Sequence, residues 1–222
     1  MSIKDNILII GQSGVGKSTS LRNLDGGRTI ILNTERKRLP FPDKAFTRQF
    51  PINNYKLKQN DNQEFAFMFS RALSAKSEDT DGIVIESFTA MCEMIMLSAT
   101  KLFSGFDVFK WYADQVFDVL YQSKNTDKYV VFIAIDEGYE HLPGDIRRRC
   151  SLEGRKMEGK VEKEFTIVLY ADMIPEGEGF KHIFRTNDPR FSSKSPMGMF
   201  DPIEPNDLNH IINKIKTYRG EA

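Results

Sequence analysis

The 222-residue sequence balances 31 Lys and Arg against 31 Asp and Glu, for a formal net charge of zero. That balance excludes a global positive field for nucleic acid, so any such binding must come from a local basic patch. With 28% charged and 40% hydrophobic residues, no long apolar run and no signal-peptide pattern, the expectation is a soluble cytoplasmic protein that does not enter a membrane.

In chain order, Ile7–Ile10 is a short, wholly apolar run ended by glycine, the pattern of a strand buried on both faces. The next residues, Gly11, Gln12, Ser13, Gly14, Val15, Gly16, Lys17 and Ser18, meet G-x-x-x-x-G-K-[ST] at every fixed position. Small residues let successive N–H groups turn inward and form a concave nest around phosphates. Lys17 would reach the β- and γ-phosphates of ATP, and Ser18 would place its hydroxyl on Mg2+. Thr19 completes the candidate nucleotide site. A helix is expected from Lys17 to about Leu24, closed by Asp25-Gly26-Gly27, with its positive end on the same anion.

A second strand, Thr29–Leu32, runs into Glu35 and the charged "ERKR". After a Pro-containing stretch come a helix over about Asn62–Ser74, a strand over Ile83–Ile85 ending at Glu86, and helices over about Ser87–Leu102 and Val108–Gln122. The strand Tyr129–Ile135 then ends at Asp136-Glu137. Residues 136 to 164 are crowded with both charge signs and show little apolar periodicity. "EFTIVLYADM", "PEGEG" and "FKHIFRT" read as an antiparallel hairpin, and a closing amphipathic helix is expected over about Pro205–Tyr218. Strands alternating with helices, then a late hairpin, imply an α/β fold spanning 1–222 as one domain: a mainly parallel sheet flanked by helices, with a C-terminal antiparallel extension. Cys92 and Cys150 lack metal or redox spacing and read as reduced thiols, and His141, His182 and His210 show no zinc pattern.

An ATPase of this kind needs one carboxylate in the Mg2+ shell and one to position water. Both Glu86 and Asp136 close apolar strands and are candidates for the metal shell. Asp136 has the stronger local pattern, whereas chain order favours Glu86. Glu35 stands where all parallel strands end, along the edge where ligands bind, and is the candidate for orienting water.

With these pieces placed, the chain resembles RecA-like ATPases. It is most similar to phage-encoded nucleotide-binding proteins of that group, which include minimal single-strand annealing recombinases. The resemblance rests on "NILIIGQSGVGKSTSLRNL", "IILNTE", "IVIESFTAM", "EFTIVLYADM" and "FRTNDPRFSSKSPMGMF", and above all on "KSPMGMF" followed by "EPNDL". It implies Glu35 as catalytic glutamate, Glu86 as metal-shell acid in place of the usual aspartate, and Ile135–Glu137 as the sensor region, with Asp136 the nearest polar group. It implies DNA recombination or annealing in a host cytoplasm, on single-stranded DNA, as a homo-oligomeric ring or filament, with a single-strand DNA-binding protein as a possible partner. The DNA loop after the sensor strand would supply Arg147, Arg148, Arg149, Arg155, Lys156 and Lys160, with Tyr139 and His141 available to stack on bases. Lys194 would reach a neighbouring subunit's γ-phosphate, as an arginine finger does. A P-loop kinase and a nucleotide-gated binding protein with little turnover remain the alternatives.

Overall fold

The computed structural model describes residues 4–55, 64–154, 157 and 159–221. Its centre is strand β1 (Ile7–Gly11), buried along its whole length, as its continuous apolar run requires. The other strands are β2 (Thr29–Asn33), β3 (Gln49–Pro51), β4 (Gly82–Glu86), β5 (Tyr129–Leu142), β6 (Asp145–Cys150), β7 (Ile167–Glu176), β8 (Gly179–Arg185) and β9 (Ile203–Pro205). Among the described residues they form one sheet in the order β3-β2-β4-β5-β1-β7-β8-β9, with β6 paired to β5 alone. Strands β3 through β7 in that order are parallel, and β8 and β9 continue antiparallel. This is the architecture expected from the sequence: a mainly parallel, helix-flanked sheet with an antiparallel C-terminal extension.

The period-two alternation of strand side chains divides the core between the two sheet faces. Leu8, Ile10, Leu32, Ile85, Phe132 and their neighbours pack beneath α1 (Phe65–Leu73), α2 (Phe88–Leu102) and α3 (Phe106–Ser123). Ile7, Ile9, Ile31, Val84 and Ile133 pack on the other face, which α4 (Leu208–Arg219) covers through Leu208, Ile211 and Ile215. Truncating a central residue such as Ile9, fully buried, to alanine is expected to cost roughly 2–5 kcal/mol. The α4 helix is capped at both ends: the Asp207 carboxylate accepts from the Asn209 and His210 N–H groups, and Gly220 takes the left-handed conformation. Cys92 and Cys150 are both buried free thiols.

Several elements depart from the sequence-based expectation. The segment after the glycine-rich turn is a six-residue 3-10 helix, Ser18–Asn23, rather than an α-helix. Three consecutive hydroxyl residues followed by Asn and Asp make poor α-helix interior, and the chain must already be extended at Leu24. Edge strand β3 is too short to leave a periodic signature, and its Pro51 suits an edge position. Helix α1 begins at Phe65, and the Asn62 at which it was expected to start lies outside the described residues. Strand β5 does not stop at Ile135 but continues to Leu142 and folds back as β6, so 136–150 is an antiparallel hairpin and not an irregular loop. Pro143-Gly144, with Gly144 at φ +80°, forms its turn.

Candidate functional site

Gly11 ends β1 where a side chain cannot fit: a Cβ there would lie 2.6 Å from the Ala171 carbonyl oxygen. Gly16 is equally constrained, at φ +94° with the His182 ring where a Cβ would point. His182 Nδ1 lies 2.9 Å from the Val15 carbonyl, so strand β8 braces the loop from behind. Ser13, Gly14, Gly16, Lys17, Ser18 and Thr19 line a cavity of about 290 Å³ together with Glu35, Lys37, Glu86, Ser87 and Ile135. Since the following helix is one short 3-10 segment, the attraction for anions comes mainly from the nest of loop N–H groups and from Lys17. Burial lowers the Lys17 pKa, while Glu86, Asp136 and Glu35 oppose that shift. Its ammonium donates to the carbonyls of Gly11 (2.8 Å) and Gln12 (2.6 Å).

The sheet order brings the two glutamates together. Strand β2 pairs with β4 so that Asn33 lies beside Glu86, and the chain leaving β2 is fastened to the chain leaving β4. Thr34 donates its N–H to the Glu86 carbonyl (2.7 Å) and its hydroxyl to the Ser87 carbonyl (2.7 Å). Ser87 in turn donates to Glu35 Oε1 (3.1 Å). The Ser18 hydroxyl donates to Glu86 Oε1 at 2.7 Å, while Glu86 Oε2 is buried with no partner. Burial pushes the Glu86 carboxyl up to about 7, the Ser18 bond acts against that rise, and the nearby Glu35 charge adds to it. Glu35 is also desolvated, but its bonds to Lys37 and Ser87 outweigh that and hold it below the ordinary carboxylate range.

These residues fit Mg2+ and ATP. A buried carboxylate oxygen without a partner, beside the serine of a phosphate loop, is a donor set that a cation would complete and keep ionised. Two protein oxygens are enough for Mg2+, which takes its remaining ligands from phosphate and water.

Asp136 is not brought to Ser18. Strand β5 lies between β1 and β4, and Ile135, the last residue to face the cavity, pairs with Gly11. The Asp136 side chain is fully buried and accepts from Arg148 (2.9 Å) and Tyr170 (3.0 Å). Arg148 also reaches the phosphate loop: with its amide oxygen turned toward the guanidinium, Gln12 accepts at 2.6 and 2.8 Å. Sequence reasoning missed this bridge because it joins three segments distant in the chain.

The other hairpin arginines point to the opposite face of β6. Arg149 pairs with Glu137 (2.7 Å) and lies over the Tyr139 ring at 4.8 Å, and Arg147 pairs with Asp145 (2.9 Å). His141 meets Tyr139 edge to face. Lys160 is exposed in a turn, and Arg155 and Lys156 lie outside the described residues. Lys194 does not project from an exposed loop. It is half-buried, its backbone is bonded to Val168 of β7, and Glu162 and Glu164 act on its ammonium. Lys37 was passed over in the sequence because "ERKR" reads as a solvated charge run.

A family described as an AAA domain (AAA_24) matches residues 3–197. Among curated proteins, no sequence match reaches significance. Similar solved structures include a RadB recombinase, with 14% identity, TM-score 0.48, and 85% of this chain and 84% of that chain covered. Another is a KaiC-like protein from Pyrococcus horikoshii OT3, with 11% identity, TM-score 0.45, and 83% and 79% covered. A third is the flagellar accessory protein FlaH from Methanocaldococcus jannaschii, with 10% identity, TM-score 0.45, and 91% and 84% covered.

Proposed function

The chain belongs to the AAA-domain family, and from that premise we propose that it is a Mg2+-dependent, RecA-like ATPase acting on single-stranded DNA as a homo-oligomer in recombination or annealing. The observation that carries the hydrolase part is the placement of Glu35 and Glu86 on adjacent strand ends, with Glu86 2.7 Å from the Ser18 hydroxyl of the phosphate loop. The loop N–H groups and Lys17 hold the phosphates, Lys17 leaving the carbonyls of Gly11 and Gln12 to do so. Glu35, ionised at neutral pH, accepts a hydrogen bond from the attacking water and aims it at the γ-phosphorus. Ser18 and Glu86 would hold Mg2+, which when bound would supply charge neutralisation at the phosphate oxygens.

The DNA part is supported by the position of the β5–β6 hairpin at the same sheet edge, with Arg147, Arg149, Tyr139 and His141 on it. Phosphate contacts from arginine and stacking from aromatic rings are what single-strand binding without sequence preference requires. Arg148 ties this hairpin to Gln12, which supports nucleotide-dependent DNA binding. The chain acts as one domain in this reading, and Lys194 would serve a neighbouring subunit's site within a ring or filament only by turning its ammonium out of the half-buried place it holds beside β7. Among the described residues no helix is long and apolar enough to cross a membrane. A kinase is less well supported, because Arg147, Arg148 and Arg149, candidates for its lid, lie in β6, each paired to an acid.

The test is phosphate release with and without single-stranded DNA across a salt series. Stimulation that fades as salt rises is expected. DNA-independent release, or transfer of phosphate to a small acceptor, would overturn the reading. Nucleotide binding without turnover would favour the nucleotide-gated alternative, for which apolar Ile135 at the sensor position is the motivating feature.

A further inference from the structure

Lys37 stands apart from the phosphate-loop motif yet shares the nucleotide cavity with Lys17, Ser18, Glu35 and Glu86. Its ammonium lies 2.7 Å from Glu35 Oε2, the oxygen that Ser87 does not occupy. Both oxygens of the water-positioning carboxylate are thus engaged before any substrate arrives.

The chain is shaped to put Lys37 there. Between Asn33 and Lys37 the backbone reverses through Arg36 at φ +55°, a left-handed conformation that is uncommon outside glycine and stores strain on the order of 1 kcal/mol. The buried Asn33 amide donates to the Lys37 carbonyl at 2.6 Å and fixes the turn. An exposed ion pair by itself is worth about 0–1 kcal/mol, which does not explain a strained and braced turn. The Lys37 side chain remains 77% exposed, so its ammonium is tethered at the base and free to swing at the tip.

Bound ATP brings a far denser negative charge into that cavity than one carboxylate supplies. We propose that Lys37 is a second in-chain phosphate-contacting lysine, which leaves Glu35 for the γ-phosphate of ATP and so releases Glu35 to position the attacking water. In the reaction the water oxygen bonds to the γ-phosphorus and the bond to the β-bridging oxygen breaks. The water proton passes to Glu35 or to the departing phosphate. Lys37 stays protonated throughout, stabilises the transferring group, and returns to Glu35 when phosphate leaves. With ADP bound the exchange does not occur, so the lysine distinguishes triphosphate from diphosphate.

This inference rests on the ATPase reading of the same cavity, and its test is built so that the two can fail separately. Affinities for ADP and for a slowly hydrolysed ATP analogue are measured for wild type, Lys37→Met and Lys37→Arg, together with steady-state phosphate release. Lys37→Met is expected to keep ADP affinity, lose about tenfold in analogue affinity, and lose about 10- to 100-fold in kcat. Lys37→Arg is expected to recover much of both losses. The same analogue-to-ADP ratio in Lys37→Met as in wild type would overturn the proposal. So would a rise in turnover, which would make the lysine only a restraint on Glu35. The binding arm needs no turnover, so a wild type that releases no phosphate would sink the ATPase reading and still leave this ratio readable.

Discussion

The phosphate loop and the β5–β6 hairpin occupy the same edge of the sheet but treat charge in opposite ways. In the loop, polar groups are held ready: Glu86 Oε2 has no partner, and Lys17 is engaged only by backbone carbonyls. In the hairpin, Arg147, Arg148 and Arg149 are each matched to an acid within 3 Å, namely Asp145, Asp136 and Glu137. The loop therefore can gain a phosphate at little internal cost, whereas the hairpin, in the DNA-binding role proposed for it, would take a phosphate only by exchanging it for a carboxylate. On the proposed function, that difference predicts tight nucleotide binding and conditional, salt-sensitive DNA binding.

The largest effect that would sharpen this contrast is at Lys17. Lys17→Ala is expected to weaken ATP binding by about 100-fold, the loss of a charge-assisted contact to phosphate, with the circular dichroism spectrum unchanged. Mixing that protein with Lys194→Ala should restore some phosphate release if Lys194 acts across a subunit boundary, and no recovery would count against that role. Next comes the residue where the two regions meet. Asp136→Ala strips Arg148 of its buried partner, and because Arg148 is itself partly exposed the expected loss is about 2–3 kcal/mol, read as a lower urea midpoint at unchanged slope. If the Gln12–Arg148 bridge carries nucleotide state to the hairpin, the same variant should also lose DNA stimulation of phosphate release at temperatures where it is folded. The smallest effect is expected at the outer face. Arg147→Ala with Arg149→Ala should lower single-strand affinity by about tenfold at low salt and flatten its salt dependence by about two phosphate contacts, leaving ATP binding intact. A double variant with undiminished DNA affinity would remove the hairpin from the DNA-binding surface.

The two regions also differ in how much of them the sequence disclosed. The loop residues follow a local spacing, so the turn from Gly11 to Ser18 could be placed from the string alone. Glu35 and Glu86 were legible because parallel strands end on a common edge. The hairpin was not, because its strands, DEGYEHL and DIRRRC, show no alternation of apolar and polar residues and are mostly exposed or half-buried. Pro143-Gly144 was the available signal, a turn dipeptide between two stretches of equal character. Asp136 was given a place near the nucleotide by its strand-end position, yet its side chain turns to Arg148 and Tyr170, a choice that depends on residues far along the chain. Lys37 was hidden for a related reason: a charged run after a strand gives no sign of which member the backbone turns back into the cavity.

The two buried cysteines have a practical consequence. Burial raises the thiol pKa of both Cys92 and Cys150, so neither offers appreciable thiolate to an alkylating reagent at neutral pH. The native sequence is thus silent toward maleimide dyes in its folded state. A single cysteine introduced at Leu142, exposed near the hairpin turn, would carry the only fluorophore. Its emission would report, in real time and without further engineering, whether the hairpin moves when nucleotide arrives.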